Sequence, residues 1–254
     1  ESLKTAISLY HVLEEKGREP QYDGYVESFT ENWEKLERYD NNAPKTMNAH
    51  LHVLEAYTLL YQCWKDNGLK KRLEFCVDLF MNRIYDPSRR HFNLFFDNEW
   101  NSLVEMDSYG HDVETGWLLC EAARTLENQD LIKRTNLLAL DVTGACLAEG
   151  MSDKGYMIYE KKGDRKTKHA SWWGQVETMI ACVNAWQISG DEAWLQSADT
   201  VWTFVKDHMV DKEYGEWYSD CFDGEPKKGA PKVSMWRCPY HTVRLGVEMY
   251  NRLK

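Results

Sequence analysis

The chain of 254 residues repeats a pair of helical segments with a period of about 60 residues. Apolar residues return every three to four positions in eight segments, a spacing that predicts α-helices. Helices opening a pair begin near residues 47, 113, 172 and 238, which are 66, 59 and 66 residues apart. A fixed period of this kind is typical of a repeat architecture. The eight predicted helices are Leu3–Lys16, Met47–Lys65, Lys70–Ile84, Val113–Leu126, Asp130–Ala148, Trp172–Ser189, Glu192–His208 and Cys238–Arg252.

The two helices of a pair differ in character. Those that open a pair, such as the helix from Met47, are apolar almost all round, which is typical of helices buried on every side. Their partners, such as Glu192–His208, keep a charged face. This alternation predicts an all-α toroid of buried inner and amphipathic outer helices, forming one domain over residues 1–254. Four aromatic-rich stretches, Tyr25–Trp33, His91–Trp100, Gly155–Glu160 and Tyr214–Gly224, predict short β-hairpin loops at one mouth of the ring.

A toroid of this kind usually closes with six helix pairs, and the predicted helices supply four. We therefore expect about eight of twelve helices here and an N-terminally incomplete domain. Such a chain leaves apolar surface on its first and last units, around Leu3–Tyr10 and Val243–Tyr250. Large exposed apolar patches usually have a partner, so we expect an upstream segment or another subunit to cover them.

The acidic balance of the chain excludes several classes of partner. It carries 31 basic and 41 acidic side chains, a formal net charge of −10 with neutral histidines. Nucleic acids and anionic membrane surfaces need a clustered positive field, and no apolar run approaches the ~20 residues of a spanning helix. The seven cysteines are scattered without a C-x-x-C pair. This pattern is typical of reduced thiols and predicts a cytoplasmic protein.

Three histidines fall at the beginnings of predicted inner helices: His52, His111 and His241. A single histidine in an apolar helix is more often a hydrogen-bonded core residue than a catalyst, but three at equivalent positions of a repeat favour a shared role. His50 lies two residues from His52, so it points elsewhere and is expected to be structural.

Polar and aromatic residues accompany these histidines at helical spacing. Asn48 lies four residues before His52, Glu114 lies three after His111, and Trp173 and Glu177 are four apart, so each pair shares a helical face. Glu114 and Glu177 could also serve simply as helix caps, because acidic groups are favourable in a first turn.

Several chemistries can be weighed against this set. The H-E-x-x-H motif is absent and the cysteines do not pair, so His111-x-x-Glu114 alone is a weak metal signal. A glycosidase needs two carboxylates, one of them protonated, which Glu114 and Glu177 could supply in principle. Two neutral histidines instead suit removal and return of a proton near neutral pH, because imidazole can act as base or acid there.

Five motifs stand out at the starts of predicted inner helices and in the loops: KTMNAHLHVLEAY at 45–57, GHDVETGWLL at 110–119, WWGQVE at 172–177, GEWY at 215–218 and WRCPYH at 236–241. Together they closely resemble the cellobiose 2-epimerases of the N-acylglucosamine 2-epimerase superfamily. The resemblance runs from near Glu1 to the C-terminus in the family's order and spacing. The sequence departs from the family at Thr115–Gly116 and Gly174, and neither departure removes a functional group. The family's first helices, which bring an arginine and a tyrosine to the pocket, have no counterpart here.

The resemblance implies an (α/α)6 barrel and cofactor-free, metal-free epimerisation at C2 of the reducing-end sugar of a β-1,4-linked disaccharide. It implies that His111 and His241 are the acid/base pair and that His52 holds or polarises the oxygens on C1 and C2. The substrate-binding residues that it implies are Asn48, Glu114, Trp172, Trp173, Glu177 and Trp236. Three alternatives stay open: an aldose–ketose isomerase, an N-acylglucosamine 2-epimerase, and a non-catalytic sugar-binding protein on the same toroid.

Overall fold

A computed structural model describes residues 1–36 and 38–254 of the chain. The described residues contain eight α-helices, and each of the eight predicted helices is confirmed. Three of them, α1, α3 and α7, continue directly into a five-residue π-helical turn at Leu13–Gly17, Phe80–Ile84 and Val205–Met209. The helices are α1 (Ser2–Val12), α2 (Met47–Cys63), α3 (Asn67–Leu79), α4 (Tyr109–Thr125), α5 (Gln129–Gly150), α6 (Trp172–Ser189), α7 (Ala193–Phe204) and α8 (Tyr240–Arg252).

Several helix ends differ from the sequence-based bounds because capping groups lie outside the apolar pattern. Helix α3 begins at Asn67 rather than Lys70, because the Asp66 side chain accepts a hydrogen bond from the Leu69 amide at 2.9 Å. Helix α4 begins at Tyr109 rather than Val113, since the Asp112 amide already donates to the Ser108 carbonyl at 2.9 Å. His111 therefore lies inside the first turn of α4.

The strands are short and lie in the connections between helices. The aromatic-rich stretches predicted some of these short hairpins. Each strand is only two or three residues long, too short for an independent sheet. The strands are β1 (Lys45–Thr46), β2 (Tyr85–Asp86), β3 (His91–Phe92), β4 (Phe95–Phe96), β5 (Met106–Asp107), β6 (Glu160–Lys162), β7 (Arg165–Thr167), β8 (His169–Ser171), β9 (Asp220–Phe222) and β10 (Glu225–Pro226).

The chain forms two compact units, and the first comprises residues 1–106 and 118–135. In this unit α2 packs against α1 and α3. Strand β1 pairs with β4, and β2 pairs with β3, both antiparallel. Helix α2 starts where the Thr46 hydroxyl accepts a hydrogen bond from the Ala49 amide at 3.1 Å. Its inward side chains, Leu51 and Leu54 among them, are fully buried.

The second unit comprises residues 107–117 and 136–254. Helix α6 lies at its centre, in contact with α7 and α8. Every residue of α6 from Gly174 to Ala185 is buried, as predicted for a helix that opens a pair. The same prediction is wrong for α2, where Leu59 is 58% exposed. Strands β8, β9 and β10 form an antiparallel sheet in which Ala170 lies opposite Cys221. The β8–α6 junction places Ser171 as the N-cap of α6.

A tight hairpin of the same form follows α1, α3, α5 and α7. In each hairpin an extended residue just after the helix bridges a residue six or seven positions later, so the loop is fixed at both ends. The bridged pairs are Arg18 with Tyr25, Tyr85 with Phe92, Met151 with Met157, and Val210 with Trp217. This recurrence is the structural basis of the sequence repeat.

The outward face of α8 remains apolar. Tyr240, Val243, Val247 and Tyr250 recur at helical spacing and are all exposed. Beside them, α6, α7 and α8 enclose a groove of about 550 Å³, with Trp202, Leu245 and Met249 in its lining. On α1, Leu3 and Leu9 are exposed as well. No helix within the described residues combines the length and the apolar character that crossing a bilayer requires.

Candidate active site

The second unit holds a histidine–carboxylate pair formed by α8 and α6. His241 lies in the first turn of α8 and is partly exposed, whereas Glu177 is completely buried in α6. The Nδ1 atom of His241 lies 2.7 Å from Oε1 of Glu177. Because an ionised carboxylate only accepts hydrogen bonds, Nδ1 carries the proton, and Nε2 is the ring nitrogen left for proton transfer.

Glu177 is held in place by a second donor. Its other oxygen, Oε2, accepts a hydrogen bond from the Trp117 indole at 3.0 Å. A carboxylate with both oxygens hydrogen-bonded is fixed in orientation, and it fixes the imidazole ring in turn. Glu177, which the resemblance implies to be a substrate-binding residue, thus orients the imidazole of His241 in this structure.

Arg244 joins the two carboxylates of the site. It lies one turn after His241 in α8, and its Nη2 atom donates to Glu114 on α4 and to Oε1 of Glu177 at 2.8 Å. Nη1 donates to the Tyr240 hydroxyl at 2.7 Å. The guanidinium lies over the rings of Tyr240 and Trp117, 4.4 Å and 5.2 Å from their centroids. The arginine is therefore fixed by charge and by stacking.

His111 is positioned by different groups. Its Nδ1 atom lies 2.7 Å from the Ser108 hydroxyl, which can either donate or accept. Its ring contacts Trp173 with centroids 4.5 Å apart. Gly110 permits this contact, because a Cβ atom there would lie 2.6 Å from the Trp173 ring and 3.2 Å from the Gly174 backbone. The first turns of α4 and α6 thus approach closely only because residue 110 lacks a side chain.

Trp173 brings the two predicted acid/base histidines to one aromatic ring. Its centroid lies 4.5 Å from that of His111 and 5.8 Å from that of His241. Trp172 meets His241 edge-on at 6.3 Å and carries the buried Arg237 guanidinium 5.0 Å from its centroid. An aromatic ring in contact with two imidazoles can bind the apolar face of a sugar ring next to both.

Trp236 is a further predicted binding residue of the second unit. Trp236 is 84% exposed in the loop before α8. Its neighbour Arg237 anchors that loop by donating to the Trp217 carbonyl.

Asn48 and His52 belong to α2 in the first unit, where both lie in the first two turns. The His52 side chain is 47% exposed, and its Nδ1 atom lies 3.5 Å from Glu55. Both therefore present polar groups on the accessible side of α2.

One set of potential metal ligands occurs in the second unit. Glu114, Glu177 and His241 offer donor atoms that all lie within 4.8 Å of one another. Arg244 Nη2 already contacts all three residues, since it also lies 3.3 Å from His241 Nδ1. A guanidinium in this position supplies positive charge where a divalent cation would otherwise be needed.

Sequence reasoning missed Arg244, Ser108 and Trp117. Helical spacing could have indicated each one: Arg244 lies three residues after His241, Ser108 three before His111, and Trp117 three after Glu114. The partners of Arg244, however, come from two other helices far away in the sequence, and spacing alone does not reveal such pairs.

Sequence comparison identifies a family. The sequence profile of the N-acylglucosamine 2-epimerase (GlcNAc 2-epimerase) family matches residues 1–244. The chain is similar to the cellobiose 2-epimerase of Bacteroides fragilis, with 38% identity over 98% of this chain, and to that of Dictyoglomus turgidum, with 34% identity over all of it. It spans 65% of the length of the first relative and 66% of the second.

Structural comparison gives the same relationship. The structure of cellobiose 2-epimerase from Bacillus thermoamylovorans superposes with a TM-score of 0.94 at 35% sequence identity. The match covers 98% of this chain and 66% of that one.

Proposed function

The chain belongs to the N-acylglucosamine 2-epimerase family, and on that basis we propose that it is part of a carbohydrate 2-epimerase of the cellobiose 2-epimerase type. The reaction is epimerisation at C2 of the reducing-end glucose of a β-1,4-linked disaccharide such as cellobiose or lactose, giving mannose at that position. The observation that carries the proposal is that His111 and His241 both contact the ring of Trp173.

In the proposed mechanism, one proton is removed from C2 and another proton is added to the same carbon. After the sugar ring opens, one imidazole removes the C2 proton, and the electron pair of the broken C–H bond forms a C1–C2 double bond as negative charge moves to the C1 oxygen. The resulting cis-enediolate takes a proton on the opposite face of C2 from the other imidazole. His241 uses Nε2, because Glu177 holds its Nδ1 proton. His52 holds or polarises the C1 and C2 oxygens.

Sugar binding completes the proposal. Trp172, Trp173, Trp236 and Asn48 line the sugar sites, and Glu114 and Glu177 orient imidazoles and hydroxyl groups. The ion pairs of Arg244 with Glu114 and Glu177 disfavour the glycosidase alternative. A glycosidase needs one carboxyl group in its protonated form, whereas a guanidinium between two carboxylates favours their ionised forms.

The fold that we propose for the working protein is an (α/α)6 barrel, with residues 1–254 supplying about eight of its twelve helices within one catalytic domain. The similarity to the Bacillus thermoamylovorans epimerase supports this fold. We propose that helices from an upstream segment cover the exposed stripe on α8 and the adjacent groove. A covering helix pair should raise the midpoint of thermal unfolding and keep the protein monomeric. Thermal unfolding and size-exclusion chromatography of residues 1–254 and of the complete protein test this. Self-association through the stripe would instead identify a second subunit as the cover.

The protein needs no cofactor or metal in this proposal, because imidazoles supply the proton chemistry and Arg244 supplies the positive charge. The free cysteines, five of them buried, fit a reducing cytoplasmic location.

The proposal is tested by incubating the complete protein, with the upstream segment included, in D2O with cellobiose, lactose, glucose and N-acetylglucosamine and identifying the products by NMR. A new mannose residue at the reducing end, with deuterium at C2, supports the epimerase. A ketose selects the aldose–ketose isomerase, and conversion of N-acetylglucosamine alone selects the N-acylglucosamine epimerase. Sugar binding without turnover selects the non-catalytic protein.

A further inference from the structure

We propose that Lys232 is a positioning residue for sugar binding: its ion pair with Asp211 fixes the turn that carries Trp236, and so strengthens binding of a disaccharide. The inference rests on the proposed function, because it takes Trp236 as part of a sugar site. The effect of the ion pair on the turn concerns the chain alone and can be tested without substrate.

The lysines of the segment before α8 differ in their surroundings. Lys227 and Lys228 are exposed. The side chain of Lys232 is 25% exposed, and its Nζ atom donates to Oδ2 of Asp211 at 2.5 Å and to the Gly215 carbonyl at 2.6 Å. An ion pair on the surface contributes little, but this ammonium donates to a carboxylate that is only 5% exposed. Lys232 is therefore a fixed contact, unlike the other two lysines.

Asp211 is held rigidly on its own side of the ion pair. Its Oδ1 atom accepts hydrogen bonds from the amides of Glu213 and Tyr214 at 3.0 Å and 3.1 Å. Its carbonyl accepts from the Gly215 amide at 2.9 Å. Both carboxylate oxygens are thus engaged within the tight hairpin that follows α7. Lys232 consequently joins the segment before α8 to a fixed part of the backbone.

Arg237 holds the other end of the same turn. Its buried guanidinium donates to the Trp217 carbonyl and lies 5.0 Å from the centroid of the Trp172 ring. The backbones of Ser234 and Arg237 exchange hydrogen bonds at 2.8 Å and 3.2 Å, which closes a four-residue turn. Lys232 lies two residues before this turn and Arg237 ends it. Two cations therefore hold the turn, one on each side.

The tip of the turn is formed by Met235 and Trp236, which are 85% and 84% exposed. Ordering a mobile side chain or loop on binding weakens affinity, whereas a surface that is already fixed binds without that loss. Trp172 meets both Arg237 and His241. The fixed turn thus presents the Trp236 indole in a constant relation to the acid/base cluster. This arrangement favours a substrate that extends beyond the reacting sugar.

The experiment uses the complete protein, with the upstream segment included, and compares wild type with Lys232→Met, Lys232→Arg and the matched control Lys228→Met. Lys228 lies on the same segment with an exposed side chain. Backbone hydrogen exchange of residues 231–237 is measured by mass spectrometry without substrate. The constants kcat and KM for cellobiose epimerisation are measured alongside.

In Lys232→Met, we expect hydrogen exchange of residues 231–237 to become about tenfold faster, while the thermal unfolding midpoint stays close to wild type. We expect KM for cellobiose to rise about 5- to 20-fold. The value of kcat should stay within about threefold, because the change removes binding and leaves the reacting groups in place. Lys232→Arg keeps the charge and the donors and should resemble wild type, as should Lys228→Met.

A double-mutant cycle with Trp236→Ala tests whether Lys232 acts through the indole. Trp236→Ala alone should raise KM. Adding Lys232→Met to it should change KM by less than about twofold further, because residues that act through one contact are not additive. A second rise as large as that of Lys232→Met alone would show that Lys232 acts apart from Trp236, and would overturn the proposal.

An unchanged KM in Lys232→Met would also overturn it, as would an equal rise in Lys228→Met or a fall in kcat as large as the rise in KM. If Lys232→Met does not fold, Asp211→Asn must show the same faster exchange and higher KM, and wild-type values there overturn the proposal. Absence of turnover in the wild type would refute the proposed function and the sugar-binding role together. Faster exchange in Lys232→Met would still show that the ion pair fixes the turn.

Discussion

His50 on α2 and His241 on α8 both lie in the first turn of a helix, but their surroundings differ. His50 is completely buried: its Nδ1 lies 2.6 Å from the Thr46 carbonyl, and its Nε2 accepts from the Tyr25 amide at 2.9 Å. Burial lowers its pKa to about 4. His241 is partly exposed and has a carboxylate, not a backbone group, at Nδ1.

This difference gives the two histidines different roles. Both ring nitrogens of His50 serve the backbone, so the ring joins the start of α2 to the loop at Tyr25 and has no nitrogen left for a reaction. His241 uses one nitrogen for orientation and keeps the other available. The role of a histidine is therefore predicted better by the partner of its Nδ1 atom and the accessibility of its Nε2 atom than by its position in the helix.

The largest expected effect is on catalysis by His241. Replacing a positioned acid or base costs about 10² to 10⁴ in rate, so His241→Ala should lose that factor in kcat for cellobiose epimerisation. Circular dichroism and the thermal unfolding midpoint should stay close to wild type, because the ring is partly exposed. His111→Ala should behave in the same way. Near-normal turnover in either variant would exclude the two-histidine mechanism.

His50→Ala should show the opposite pattern. It leaves the Tyr25 amide without its acceptor and opens a cavity, which together cost about 3 kcal/mol of unfolding free energy. Urea titration measures this loss, and kcat of the folded fraction should remain within about threefold of wild type. A variant that keeps its stability but loses activity would remove the distinction between the two histidines.

Glu177→Gln tests the carboxylate partner of His241. The amide keeps the shape of the side chain but removes the charge that orients the imidazole, and loss of such a supporting partner costs about 10- to 100-fold in activity. We expect a fall in kcat of that size with little change in KM. Glu248→Gln, which alters a carboxylate of α8 outside the site, is the control and should leave both constants unchanged.

The pH dependence of stability tests the His50 side. The folded-state pKa of His50 is about 4, below the ordinary value of 6.5, so the unfolded chain binds a proton first as the pH falls. The contribution of His50 to stability is complete above about pH 6.5 and decreases toward pH 4, by about 2 kcal/mol between pH 6.5 and 5. The difference between wild type and His50→Gln in urea titrations isolates this contribution. Parallel curves for the two proteins would show that His50 does not titrate as described.

The smallest expected effect concerns metals. Because Arg244 lies among Glu114, Glu177 and His241, dialysis of the protein against EDTA should leave kcat unchanged. Activity that is lost and then restored by a divalent ion would assign those three residues as ligands. His241 would then be a metal ligand and not a residue that transfers protons.

Much of the fold is visible in the sequence because it repeats. The 3.6-residue apolar period predicts eight helices, and the mostly apolar α6 is buried from Gly174 to Ala185. Their ends are less predictable, since α3 starts at a cap, Asp66, that lies outside the apolar pattern. The site is predictable from spacing where contacting residues share one helix turn, as Ser108 and His111 do. The Arg244–Glu114 pair joins residues 130 positions apart, so only tertiary structure reveals it.

The close approach of α4 to α6 at Gly110 leaves room for only a hydrogen atom beside Trp173. A methyl group at that position would lie 2.6 Å from the Trp173 ring, and the indole would have to tilt or slide away. The same indole contacts both His111 and His241, so its displacement would change both contacts in a single movement. Gly110, which has no functional group of its own, therefore determines how closely the side chains of the site can pack.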